Sequence, residues 1–331
     1  MKIGVVGAGS WGTTLAHLLA SSGHEVRIWA REPEVVDAIN RTHENSVFLP
    51  GAPLLPSVVA YSEMERVVSG AELIVSAVPS HAVRSVSRQM RAALKGSPIV
   101  VSVSKGLEPG SLEPMTAVLR EELGKLSLVV LSGPSFAQEV YQKQPTAVVA
   151  ASADGSAVET VQRVFSNGYF RVYTSRDVLG VQLGGALKNV IAIAAGILEG
   201  MGLGHNPRAA LITRGLAEMT RLGQAMGADP ATFAGLAGMG DLILTATGAL
   251  SRNRSLGWEI GKGRKLEEIL SERRTVAEGV NTARAAVQLA TRVGVELPIA
   301  SEVEQVLFEG KEPRQAIADL MERELKPEHW R

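Results

Sequence analysis

Gly7-Ala8-Gly9-Ser10-Trp11-Gly12 decides the fold: it follows the β-branched run 2–6 and opens an amphipathic pattern over 11–22 that closes at Gly23. Gly7, Gly9 and Gly12 fit G-x-G-x-x-G. In that motif the first glycine permits a tight turn, the second lets backbone approach a pyrophosphate, and the third lets helix and strand pack closely. The helix N-terminus behind it offers free N–H groups and a positive dipole end to phosphate. A lone match is weak, but a strand before it and a helix after it are the context the chemistry requires. The expected ligand is NAD or NADP.

Working outward, β-branched runs recur at 25–30, 73–78, 99–103, 128–131, 146–151 and 170–174. Several are apolar on both faces, as strands of a covered parallel sheet must be. Helical patterns lie between them at 33–41, 79–94, 114–123 and 154–166. This alternation predicts a doubly wound α/β sheet with right-handed crossovers. From Val178 the strand signal stops, and 178–199, 207–226, 256–262, 266–273, 281–293 and 301–308 read as helices, with Asp229-Pro230 starting another. The expected fold class is therefore a Rossmann-like N-terminal domain, 1–177, followed by an all-α substrate domain, 178–331.

The chain has 331 residues, 45% of them hydrophobic, enough for two cores at about 100–200 residues per domain. Lys+Arg and Asp+Glu both number 34. A zero net charge argues against a general binder of nucleic acid or anionic membrane, whose affinity rests on excess positive charge. The absence of cysteine excludes disulfides, a thiolate nucleophile and Cys-ligated zinc, and it fits a reducing, cytoplasmic setting. The N-terminus lacks the long apolar segment of a signal peptide. The stretch 178–198 is the most apolar, but Gln182, Lys188 and Asn189 interrupt it, so it reads as a buried helix and no stable membrane insertion is expected.

Single residues carry the chemistry. Arg31 ends the second strand where a guanidinium can pair with a 2′-phosphate, which tilts the cofactor towards NADP; Glu32 beside it can instead serve a ribose or simply start the next helix. Lys188 sits among Val181, Gly184, Gly185, Ile191, Ala192 and Ala195 at helical spacing. It either snorkels at the rim of a core or is a buried amine whose lowered pKa suits proton transfer. Lys105, in Ser104-Lys105-Gly106 after a strand, lies where ligands of doubly wound sheets bind, or is a solvated loop lysine. Gly133-Pro134-Ser135 occupies the matching place one strand on, where Ser135 caps a helix or donates to substrate. Asp241 and Thr245 share a face if helical, and Asp241 is either an N-cap or a carboxylate that orients a lysine. Ser251-Arg252-Asn253-Arg254 suits a phosphate oxyanion, or is a basic surface loop. No H-E-x-x-H, G-x-S-x-G or Walker motif is present, and no metal site is expected.

Together these segments resemble NAD(P)-dependent glycerol-3-phosphate dehydrogenase of the bacterial biosynthetic type. The most specific stretch runs from Gly185-Ala186-Leu187-Lys188-Asn189 through Gly196, Gly200, Gly204, Asn206, Ala209 and Ala210 to Leu211-Ile212-Thr213-Arg214-Gly215. Gly7–Thr13, Ser104-Lys105-Gly106, Ser132-Gly133-Pro134-Ser135-Phe136-Ala137 and Ser251-Arg252-Asn253 support it in order along the whole chain. The resemblance implies hydride exchange between NAD(P)H and dihydroxyacetone phosphate, giving sn-glycerol 3-phosphate for phospholipid synthesis, in a homodimer. It implies Lys188 as proton donor and acceptor, Lys105 on substrate and cofactor, and Asp241 and Thr245 in support. It places Ser251, Arg252, Asn253, Gly133 and Ser135 on the substrate. It places Ser10, Trp11, Arg31, Phe48, Ala137, Arg252, Val276 and Glu278 along the cofactor. Two other readings of the residues compete: a dehydrogenase whose Arg252-Asn253 grips a hydroxy-acid carboxylate, and a non-catalytic NAD(P) sensor, against which an amine in an apolar cleft argues.

Overall fold

The computed structural model describes residues 1–273, 277–325 and 327–328. Eight strands form one sheet: β1 (Lys2–Val6), β2 (Glu25–Trp29), β3 (Val58–Tyr61), β4 (Leu73–Ser76), β5 (Ile99–Ser102), β6 (Leu128–Ser132), β7 (Thr146–Ala151) and β8 (Phe170–Ser175). Their spatial order is β3-β2-β1-β4-β5-β6-β7-β8. The order reverses between β1 and β4, and a doubly wound sheet takes its ligand in that crevice. Central strands are buried on both faces: Val5 joins one core cluster and its neighbour Val6 the other, as alternate side chains of a strand must.

The crossovers carry α1 (Ser10–Ser21), α2 (Pro33–Thr42), α3 (Met64–Val68), α4 (Val83–Ala93), α5 (Met115–Leu123), α6 (Ala137–Tyr141) and α7 (Gly155–Phe165). Leu15, Leu19, Val161 and Phe165 cover one face of the sheet; Val67, Val83, Met90, Val118 and Leu119 cover the other. All seven expected strands are present, and β3 is an eighth that the sequence pattern did not reveal. It is a four-residue edge strand with alternating burial, too short to register as a period-2 run. The sheet is parallel except between β6 and β7, which run antiparallel. They are joined through the short α6.

After β8 every described element is helical: α8 (Val178–Gly200), α9 (His205–Ala225), α10 (Pro230–Phe233), a π-helical turn (Leu236–Gly240), α11 (Asp241–Thr247), α12 (Arg252–Gly261), α13 (Leu266–Glu272), α14 (Glu278–Val293), α15 (Pro298–Phe308) and α16 (Pro313–Met321). Asp177 caps α8 by accepting the Gly180 N–H at 2.9 Å. By length and composition α8 is apolar enough to cross a membrane, but its apolar stretch is wholly enclosed by protein. The helix is the axle of the second half. A Cβ on Gly196 would lie 2.0 Å from the Arg254 carbonyl oxygen, and one on Gly257 2.0 Å from that of Ile193. Gly200 and Gly261 repeat the arrangement one turn on, with 2.3 Å to the Trp258 oxygen and 2.4 Å to the Ile197 oxygen. Glycines on both helices thus bring two backbones into contact. The contact fixes the N-terminus of α12 over the middle of α8. Helix α12 begins at Arg252 rather than at 256, so the basic segment is a helix N-terminus and not a surface loop.

Replacing Gly257 by Ala forces the crossing open. We expect a stability loss of about 1–3 kcal/mol, read as a lower urea midpoint. An unchanged midpoint would show that the helices separate freely.

Candidate active site

The glycine turn leaves β1 with Gly7 at φ +113°, a conformation that favours glycine, and its missing Cβ would lie 2.7 Å from the Ala77 oxygen. A Cβ on Gly12 would lie 1.9 Å from the Gly7 oxygen, so any side chain there pushes α1 off the strand. Gly9 faces open space, and it sits at the cap position of α1 without a side-chain capping bond. The first N–H groups of α1 are therefore left for a ligand, and the cradle fits a pyrophosphate. Ser10 and Gly12 lie in the first turn of α1 with Trp11, whose ring packs partly buried against the same core cluster as Phe48. The Thr14 hydroxyl donates to the Ala137 carbonyl at 3.2 Å, tying α1 to the start of α6. Arg31 is exposed just beyond β2 and donates to Glu32 at 2.7 and 3.0 Å, so the two residues the sequence set against each other are paired. Val276 lies outside the described residues.

At the sheet's C-terminal edge two amines converge on one carboxylate. Lys188, only 5% exposed on α8, donates to Asp241 Oδ1 and, at 2.7 Å, to Thr245 Oγ1. Lys105 Nζ donates to Asp241 Oδ2 at 2.6 Å and to the Gly133 carbonyl at 2.9 Å. Lys188 is thus fully inside and does not snorkel, and Lys105 is engaged rather than solvated. Asp241 is the first residue of α11, but its carboxylate takes no helix N–H; it serves the two amines. The π-helical turn before it, closed by Gly240 N–H to the Gly235 carbonyl at 3.1 Å, sets this register. The Thr245 hydroxyl accepts from Lys188 and donates to the Asp241 carbonyl one turn back at 2.7 Å. Burial pushes Lys188 down from the ordinary lysine range to about 7; Asp241 opposes the shift and Lys105 adds to it.

Gly185 makes this convergence possible. A Cβ there would lie 2.8 Å from Ser132 Oγ and 3.5 Å from Lys105 Cγ, so α8 could not rest on β6 beside the lysine stem. An amide chain then links the segment after β5 to α8, α12 and α14. Asn189 Nδ2 donates to the Lys105 carbonyl at 3.4 Å, Asn253 Nδ2 donates to Asn189 Oδ1 at 2.9 Å, and Gly279 N–H donates to Asn253 Oδ1 at 3.0 Å. Asn253 is buried in that chain, while Arg252 beside it is exposed and makes no side-chain hydrogen bond or ion pair among the described residues. Ser251 caps α12 by accepting the Arg254 N–H at 3.2 Å. Ser135 is not a helix cap: its hydroxyl donates to the Gly133 carbonyl at 3.0 Å, and α6 starts at Ala137. Glu278 accepts the Ser80 N–H at 3.0 Å and its hydroxyl at 2.5 Å, joining α14 to the turn after β4. Ser80 and Asn45, which is wholly buried against the glycine turn, escaped the sequence reading because each lies in a segment that looks like ordinary helix start or loop.

Fold and cradle define the class: a dinucleotide-dependent oxidoreductase with a helical second half. Residues 2–158 match the N-terminal and residues 177–318 the C-terminal family profile of NAD-dependent glycerol-3-phosphate dehydrogenase. The chain is 56% identical over 330 residues to a protein of Geobacter metallireducens named glycerol-3-phosphate dehydrogenase, NAD(P)+, covering 99% of this chain and 98% of that one. A Geobacter sulfurreducens protein of the same name is 55% identical over 333 residues, covering 99% of each. The crystal structure of glycerol-3-phosphate dehydrogenase from Coxiella burnetii superimposes with a TM-score of 0.94 at 39% identity, covering 97% of this chain and 98% of that one. The chain belongs to the NAD-dependent glycerol-3-phosphate dehydrogenase family.

Because Asp241 holds the proton on Lys188, Asp241→Asn should lower the Lys188 pKa further. Any activity that needs the Lys188 ammonium then fails at lower pH than in the parent, which a pH–rate profile measures. A profile that stays in place would remove Asp241 from that role.

Proposed function

We propose that this chain catalyses reversible hydride transfer between NAD(P)H and dihydroxyacetone phosphate, giving sn-glycerol 3-phosphate for glycerophospholipid synthesis. The observation that carries the reading is Lys188, an enclosed amine at about 7 held between Asp241 and Thr245 where the sheet's edge meets the helices. The nicotinamide supplies the hydride when bound. Lys188 gives its proton to the oxygen of the reduced carbonyl and takes it back in the reverse direction. A group titrating near the working pH does both efficiently. Lys105 polarises the same oxygen, and its bond to the Gly133 carbonyl keeps it beside Asp241. Arg252, with the free N–H groups at the start of α12, takes the phosphate, supported by Ser251, Asn253 and Ser135. Phosphate held away from the reacting carbon orients the substrate.

In this reading residues 1–177 hold the cofactor and 178–331 the substrate, with Ser10, Trp11, Phe48, Ala137 and Glu278 along the dinucleotide. Arg31 exchanges Glu32 for a 2′-phosphate: its side chain is 83% exposed, and an exposed ion pair is worth little. The protein works as a cytoplasmic homodimer, a setting that a cysteine-free chain suits. Balanced charge supports a small-molecule substrate rather than nucleic acid.

The decisive assay follows NADPH and NADH oxidation with dihydroxyacetone phosphate and with dihydroxyacetone. Turnover of only the phosphorylated ketone is expected; turnover of a hydroxy acid's keto form instead would reject the reading. Lys188→Ala should cut kcat by about 10²–10⁴-fold while NADPH still binds. With the parent enzyme, kcat/KM for ketone reduction should fall as pH rises through about 7, because reduction needs the ammonium, and alcohol oxidation should rise over the same range. A flat profile in both directions would exclude Lys188 as the proton carrier. Arg31→Ala should weaken NADPH by about tenfold and NADH little; equal weakening would reject 2′-phosphate pairing.

A further inference from the structure

We propose that Asn45 is a positioning residue for the dinucleotide cradle, aiming the Gly9 N–H at the phosphates through the carbonyl of Ala8. The proposal rests on the glycine turn being the pyrophosphate site. Asn45 lies in the loop after α2 and is 0% exposed. Its Nδ2 donates to the Ala8 carbonyl at 2.7 Å and to Thr13 Oγ1 at 2.8 Å, and its Oδ1 accepts the Phe48 N–H at 3.0 Å. One orientation of the amide satisfies all three, since the reverse sets oxygen against oxygen at Ala8. The Thr13 hydroxyl also donates to the Ala8 carbonyl at 3.3 Å, so two donors hold that oxygen inward.

The peptide plane converts this into a functional effect. The Ala8–Gly9 peptide is trans, as are all described peptides, so its C=O and its N–H point in opposite directions. Holding the Ala8 oxygen towards the buried Asn45 turns the Gly9 N–H the other way, and Gly9 borders open space. Without the clamp, two glycines flanking Ala8 let the peptide rotate at little steric cost. The same side chain also holds the backbone at Phe48 through its N–H, which anchors the amide itself.

The test compares Asn45→Ala, Asn45→Asp and Thr13→Val by NADPH Kd, KM for dihydroxyacetone phosphate, kcat at saturation and melting temperature. Aspartate keeps the acceptor for Phe48 but opposes the Ala8 carbonyl with oxygen. We expect NADPH affinity to fall at least about tenfold in Asn45→Asp, somewhat less in Asn45→Ala and about threefold in Thr13→Val. KM for the ketone and kcat should stay within about twofold. Folded variants at position 45 that bind NADPH like the parent would overturn the proposal, as would equal losses in all three constants. If neither variant at position 45 folds, Thr13→Val decides: parental NADPH affinity overturns the proposal, and a selective loss supports it. Failure of the parent to bind either NADPH or NADH would instead overturn the assignment of the cradle.

Discussion

One carboxylate shared by two amines is the constraint on which the rest depends. Asp241 is 1% exposed and faces Lys188 with one oxygen and Lys105 with the other. Two ammoniums this close repel, and burying Lys188 removes much of the water that would screen them, so a single buried anion has to hold the group together. The arrangement leaves Lys188 with a loosely held proton. Around it the structure has little freedom: α11 must begin where the π-helical turn ends, and α8 must lie flat enough on β6 for the Lys105 stem to pass Gly185.

Helix α8 meets these demands because both of its ends are fixed. Asp177 caps its start directly after β8, and the paired glycines of α8 and α12 lock its far end. Lys188 sits between these anchorages. The α12 crossing also brings Asn253 against Asn189, and through it the N-terminus of α12 to the Lys105 backbone. The start of α12 and the amines therefore share one frame, and a displacement of either would be felt by the other.

Much of this was legible in the residues. Glycine spacing after an apolar run marked the turn that opens α1, strand–helix alternation identified the doubly wound sheet, and a lysine among small apolar residues is the buried amine that faces Asp241. What the sequence withheld depends on pairing across distance. Nothing local in Glu44-Asn45-Ser46 says that the asparagine folds back on Ala8 thirty-seven residues away. The antiparallel direction of β7 is a matter of pairing across the sheet that no local pattern shows, and the position of Asp241 follows from a π-helical register that no periodicity announces. Arg252-Asn253 read as one phosphate grip, yet the structure divides them, with the amide used internally and the guanidinium exposed.

Lys105 belongs to the strand-bearing half, whereas Lys188 and Asp241 belong to the helical one. Proton affinity at Lys188 therefore depends in part on a charge carried by the other half. Removing the Lys105 charge would let Lys188 hold its proton more tightly. Seen this way, the acid strength of a residue in the helical half is set partly by the strand-bearing half.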